Sequence, residues 1–334
     1  MEAFSLKEKS VSKIRVAMIG CGGNGRAHVA SLLKIPNVEV VALADTNEQS
    51  LAAARSLAPA ARAYADYRKL LDEVDLDAVE ISTPHTLHYQ QITDALNRGL
   101  HVLCEKPMVC STAHAKSVIA LAKRKKKVLA IAYQRHCVAR YRFIKRLIDD
   151  GEIGKVLFVN AFLSQEWVHF VRGTWRAQRA LSGGGQLNDS GSHMVDFMLW
   201  ATGLVPKRVS AFIENYDFEV DINSAVNVLF TNGAIGSLTV LGYAPMWWED
   251  QTFVGEKGMI TLRNDVIKLV RNGYETVQLV NAGADVSTDQ NFVDAIQGKA
   301  EPAAPAICGL RVIQLTEAAW RSAEKGGAPV EVET

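Results

Sequence analysis

Three glycines, Gly20, Gly22 and Gly25, stand as G-x-G-x-x-G directly after the apolar run Ile14 to Ile19. That arrangement calls for a strand, a tight turn and a helix start in succession. Each glycine meets a different demand. Gly20 permits the turn, Gly22 lets the backbone approach a pyrophosphate, and Gly25 lets the helix pack closely on the strand. The helix start, with Gly23 and Asn24, offers unpaired N–H groups and a positive dipole end to an anion. A second apolar run, Val38 to Ala44, ends at Asp45, twenty residues past Gly25. A carboxylate there suits the ribose hydroxyls of NAD. It would repel the 2′-phosphate of NADP, and Thr46-Asn47 supplies no arginine to hold one. NAD is therefore the expected cofactor, with NADP disfavoured.

The surroundings extend the pattern. Apolar runs at 14–19, 38–44, 78–82, 101–104 and 128–132 alternate with helical periodicity at 25–35, 49–57, 88–98 and 112–124, and a helical turn falls at 67–71. Pro36, Pro59, Pro84 and Pro107 mark element ends, and Gly99 caps the helix before it. Repeated βα units with short links specify a parallel, doubly wound sheet. The texture changes after Tyr133. One helix, 139–149, precedes strand-like runs at 156–164, 208–215, 224–230, 234–241 and 259–262. Thr231-Asn232-Gly233 and Arg271-Asn272-Gly273 read as hairpin turns, so this sheet is expected to be mainly antiparallel. Helices at 290–297 and 310–324 close the chain. The expected fold is α/β, with one domain over 1–134 and a second over 135–334.

The 334 residues are 48% hydrophobic and carry a formal net charge of +1, which makes no electrostatic case for nucleic acid or an anionic membrane. The basic cluster Lys123-Arg124-Lys125-Lys126-Lys127 sits where a helix ends, a position that favours cations. Five cysteines, an odd number without a C-x-x-C pair, give neither a disulfide framework nor zinc-ligand spacing. The first dozen residues lack an apolar signal core, and no run is long enough to span a bilayer. A cytoplasmic location follows as the expectation.

Two polar constellations point to chemistry. Cys104-Glu105-Lys106-Pro107-Met108 lies at the carboxyl end of a strand, where open α/β sheets bind ligands. An ammonium at Lys106 would lower a bound hydroxyl's pKa and stabilise an alkoxide. The run from Gly183 to Gly185 leads into a helix on which Asp189 and His193, four apart, are expected to share a face. A carboxylate beside an imidazole raises its pKa and fixes its orientation, which would make the pair a general base. No third ligand stands at useful spacing, so no metal is expected.

These blocks resemble the Gfo/Idh/MocA oxidoreductases, which include glucose-fructose oxidoreductase and inositol dehydrogenase. The resemblance rests on Ile19 to Gly25, Ala44-Asp45, Ser82 to His88, Cys104 to Pro107, Gly183 to His193 and Asn291 to Ile296. It implies an N-terminal Rossmann domain and a C-terminal α/β domain with an open-faced sheet that often joins copies, here a homodimer or homotetramer. It also implies Lys106 as the active-site lysine, with Asp189 and His193 as the matching pair. Ser82, Thr83, Pro84, His85 and His88 would line the cofactor beside Glu105, with Thr46, Gln134, Trp175 and Arg176 near it. The chain departs from the family pattern at Gln134-Arg135-His136-Cys137, a segment expected to face the substrate.

The implied activity is hydride transfer between NAD and a secondary alcohol of a sugar, polyol or sugar derivative. Lys106 and His193 remain interchangeable as base. An NAD-recycling glycosidase would use the same residues, and a regulatory NAD sensor would need none of them. Arg135, Trp167 and His169, with the aromatic stretch 243–248, are the candidate substrate contacts beside Lys106, Asp189 and His193.

Overall fold

The computed structural model describes residues 13–271, 276–279 and 283–333. Six strands, β1 (Ile14–Ile19), β2 (Val38–Ala44), β3 (Arg62–Tyr64), β4 (Ala78–Ile81), β5 (His101–Cys104) and β6 (Leu129–Ile131), form one parallel sheet. Their order is β3-β2-β1-β4-β5-β6. Helices α1 (Gly23–Leu32), α2 (Glu48–Leu57), α3 (Tyr67–Glu73), α4 (His88–Asn97) and α5 (Thr112–Lys125) make the crossovers. The order reverses between β1 and β4, and a crevice opens at the strand ends there. Asn47, Asp66 and Ser111 cap α2, α3 and α5 through their side chains. By contrast α1 starts on Gly22 without a side-chain cap, so its first N–H groups stay available. Lys123, Arg124 and Lys125 fill the last turn of α5, as a helix end accounts for them.

The second sheet has nine strands: β7 (Val156–Ser164), β8 (Pro206–Glu214), β9 (Asn223–Phe230), β10 (Ile235–Leu241), β11 (Trp248–Gly255), β12 (Gly258–Arg263), β13 (Val266–Arg271), β14 (Thr276–Leu279) and β15 (Val330–Glu331). Their order is β14-β13-β12-β11-β7-β10-β9-β8-β15, antiparallel except where β7 meets β10. The remaining helices are α6 (Ala139–Asp149), α7 (Trp167–Val171), α8 (Arg179–Ser182), α9 (Gly191–Thr202), α10 (Thr288–Ile296) and α11 (Ala306–Glu324). Helix α9 is buried nearly all round and packs between β7, α6 and α11. The opposite face of the sheet stays open. Phe158 pairs with Ile235 there, 36% and 54% exposed.

Several elements differ from the sequence expectation. Strand β3 is a three-residue edge, too short to show a period. The strand β11 hides because its inward residues are Glu249, Gln251 and Phe253, two of them polar. A tight turn at Asn264 and Asp265, both at positive φ (42° and 72°), joins β12 to β13. The Thr231-Asn232-Gly233 turn joins β9 to β10 with Gly233 at φ 87°. Asn272 and Gly273 of the other expected turn lie outside the described residues. A cut at residue 134 is also too simple. Helix α10 packs on α1 and β5, α11 packs on α5 and β6, and the Ile131 N–H donates to the Ala304 carbonyl at 2.9 Å.

A Cβ on Gly25 would lie 2.0 Å from the Gly20 carbonyl oxygen, in rigid backbone. Gly25→Ala is therefore expected to lose about 1–3 kcal/mol of stability in urea unfolding and to weaken NAD binding with it. Wild-type stability and affinity would refute that close approach.

Candidate active site

The crevice is shaped by what its glycines leave empty. Gly20 sits at φ 92°, and a Cβ there would meet the Ser82 carbonyl oxygen at 2.5 Å. A Cβ on Gly22 or Gly23 would meet nothing within 4 Å. That open floor, before an uncapped helix, accepts a pyrophosphate. Asp45 stands at the end of β2. Its Oδ2 accepts the Cys21 N–H at 2.6 Å and its Oδ1 the Asn47 N–H at 2.8 Å, so the carboxylate is fixed facing the crevice. A cavity of about 480 Å³ holds Gly20, Gly22, Asp45, Thr46, Ser82, Thr83, Pro84 and Trp175 on its walls. A smaller one of about 160 Å³ continues along Gly23, Asn24, His85, Glu105, Lys106 and Arg176. These residues fit a bound dinucleotide. Ser50, Tyr67 and Gln91 also line the larger cavity, and no motif singles them out.

At the inner end, Lys106 follows β5 on a cis Lys106–Pro107 bond. Its Nζ donates to Asp189 Oδ1 at 2.8 Å, and Trp167 Nε1 and Arg176 Nε donate to Oδ2 at 3.0 and 3.1 Å. Burial alone would push the Asp189 carboxyl up, but the Lys106 ammonium and Arg176 guanidinium hold it well below the usual carboxylate range. Asp221 fixes the approach to Asp189. Its carboxylate accepts the N–H groups of Gly185 and Leu187 at 2.8 and 2.7 Å and Trp320 Nε1 at 3.0 Å. A Cβ on Gly185 would lie 1.8 Å from the Asp221 carbonyl oxygen, so the turn requires glycine.

The expected Asp189–His193 pair does not form. Asp189 precedes α9 in a turn, so the two do not share a helix face, and its carboxylate binds Lys106 instead. His193 Nδ1 is buried with no hydrogen-bond partner. Burial, with Lys106 and Arg135 nearby, drops the His193 pKa well below its ordinary value, opposite to the sequence expectation. Trp167 is buried, with its Nε1 donating to Asp189. His169 lies exposed, edge-on to Tyr243. His88 is buried between the Pro107 and Thr83 carbonyls, 2.9 Å from each, where it ties two loops together. Gln134, expected at the cofactor, lines the cavity of His193.

That cavity, about 500 Å³, is walled by Gln134, Arg135, Arg140, Tyr141, Ser190, His193, Trp247, Glu249, Asn264 and Asp265. Sequence patterning singled out only some of these. Glu249 and Asn264 sit on or beside β11, and an acid at an inward strand position is the signal that marks Glu249.

A second buried cluster backs Glu105. His28 on α1 lies 3.2 Å from Glu105 and 2.6 Å from Asp289 on α10, with Glu80 at 3.5 Å. Burial opposes a charge on His28, yet Asp289, Glu105 and Glu80 raise its pKa well above normal. Burial, then Asp289, pushes the Glu80 carboxyl well above its ordinary range.

A doubly wound nucleotide crevice meeting a lysine–carboxylate pair and a polar cavity defines a nucleotide-dependent oxidoreductase. The chain belongs to the Gfo/Idh/MocA family: residues 14–133 match its oxidoreductase domain with the NAD-binding Rossmann fold, and residues 141–261 match its C-terminal domain. A dehydrogenase of Comamonas testosteroni, named for 1-carboxy-3-chloro-3,4-dihydroxycyclo hexa-1,5-diene, is 31% identical over 69% of this chain, which spans 58% of that protein. D-glucoside 3-dehydrogenase of Escherichia coli is 26% identical over 94% of this chain and 97% of its own length. Levoglucosan dehydrogenase in complex with NADH and L-sorbose shares the fold with a TM-score of 0.86 at 21% identity, over 97% of this chain and all of that one, 100%. Among the described residues, no helix is long and apolar enough to cross a membrane.

His85 is buried, and burial, with the cations nearby, lowers its pKa to about 3. Folded His85 thus stays neutral where the unfolded imidazole takes a proton below about 6.5. Its contribution is present above pH 6.5 and lost as pH falls toward 3. His85→Gln is expected to flatten the fall in stability between pH 6 and 4 by about 1.4 kcal/mol per unit. Urea titrations at stepped pH measure this, and an unchanged slope would contradict it.

Proposed function

We propose that the chain moves a hydride between NAD and a secondary alcohol, or the matching ketone, of a sugar, polyol or sugar derivative. The observation that carries this is Lys106. Its ammonium lines the inner end of the nucleotide crevice and is fixed by Asp189 at 2.8 Å. Bound NAD supplies the hydride acceptor or donor. Lys106 then presents an N–H to the substrate oxygen and stabilises negative charge as it develops there. Asp189 holds Lys106 in place. His193 lies on the wall of the adjacent cavity as a neutral imidazole and takes the hydroxyl proton in oxidation. Fixed by two backbone N–H groups, the Asp45 carboxylate meets the ribose hydroxyls and repels a 2′-phosphate. The named relatives act on sugars and related cyclic alcohols, which supports this substrate class.

A panel of sugars, inositols and glycosides with NAD, followed by NADH absorbance and aglycone release, tests the reading. NADH is expected to rise with one compound class, and NADP is expected to serve less well than NAD. Lys106→Ala should lower kcat/KM by about 100-fold or more while NAD affinity is kept. Full activity in that variant sinks the assignment, and aglycone release without net NADH makes the enzyme a glycosidase.

We also propose that the open face of the nine-stranded sheet joins copies of the chain. Phe158 and Ile235, adjacent across β7 and β10, leave an apolar patch on that face. Sedimentation should show an oligomer that Phe158→Glu reduces to monomer. A monomeric wild type would disprove it.

A further inference from the structure

The charges on the wall of the substrate cavity cancel in pairs. Arg135 and Glu249 meet at 2.8 Å, both buried. Arg140 and Asp265 meet at 3.1 Å nearer the surface. All four line the cavity of His193.

The inner pair is held rigidly. Glu249 Oε2 takes the Arg135 guanidinium, and its Oε1 takes Tyr141 Oη and Gln251 Nε2, each at 3.3 Å. Arg135 also lies over the Tyr141 ring at 5.0 Å and contacts the Met194 sulfur at 3.2 Å. So a fixed donor and a fixed acceptor stand side by side, both facing the substrate.

We infer that this pair reads two neighbouring hydroxyls, and that the enzyme takes a neutral polyhydroxylated substrate in preference to an acidic one. The inference rests on the hydride-transfer reading above, which fixes where the substrate lies. One hydroxyl accepts from the guanidinium while its neighbour donates to Glu249. Among the described residues, a substrate carboxylate or phosphate finds no cation on this wall without a carboxylate partner. It meets instead the buried carboxylate of Glu249, with Asp265 nearer the surface, and like charges at close range to a buried group are disfavoured.

The test uses the full chain with NAD and matched substrate pairs: glucose with glucuronate, galactose with galacturonate, and a methyl glucoside with its uronide. Equilibrium binding and turnover are both measured. Each neutral member is expected to bind at least about tenfold tighter than its acidic counterpart. Glu249→Gln uncovers the Arg135 charge. It should weaken neutral binding by about tenfold and narrow or reverse the ratio, while Glu249→Asp keeps the wild-type preference. Unchanged NAD affinity shows that the variants fold.

Acidic members bound as well as neutral ones by the wild type would overturn the inference. So would binding of no neutral member, or a Glu249→Gln variant that weakens both members of every pair equally. The two readouts separate the claims. Neutral binding without turnover sinks hydride transfer and leaves the specificity standing. Turnover confined to the acids does the reverse.

Discussion

The Asp189 carboxylate is the point on which the site depends. Lys106 reaches it from the end of β5, Trp167 from α7, and Arg176 from the loop that lines the nucleotide crevice. A buried carboxylate with one partner would be costly. With three donors it is stable as an anion and fixes each of them in turn. The nucleotide half and the substrate half of the molecule are therefore registered against each other by one side chain. Asp221 repeats the device a layer further out, where its carboxylate holds the glycine turn from which Asp189 projects.

Local backbone demands were legible in the sequence. The glycine turn, the βα rhythm and Asp45 all follow from residues close in the chain, and the structure places them as expected. Asp189 and His193 do not pair on one helix face because spacing says nothing of where a helix begins. The turn before α9 carries Asp189 off the shared face. A partner 83 residues away, Lys106, then outcompetes the neighbour four residues on. Long-range partners leave no periodic trace, and so the His28–Asp289 contact is invisible too. Strand β11 shows why the second sheet was harder to read: its inner face is polar because it serves the cavity, and that erases the alternation that identifies strands.

The two halves of the site use charge differently. The crevice offers backbone N–H groups at the start of α1 and the fixed carboxylate of Asp45 to a ligand that brings its own negative charge. The substrate cavity offers balanced pairs. Compensation of charge suits a dinucleotide, and on the specificity proposed above the second ligand is read by the geometry of donors and acceptors.

The chain passes between the two sheets more than once. It leaves after β6 and comes back through α10 and α11, with Asp289 bonded to His28 and Ala304 bonded to Ile131. Each return is pinned by a hydrogen bond from late in the chain to a residue of the nucleotide domain, so the last helices fasten the second sheet to the first.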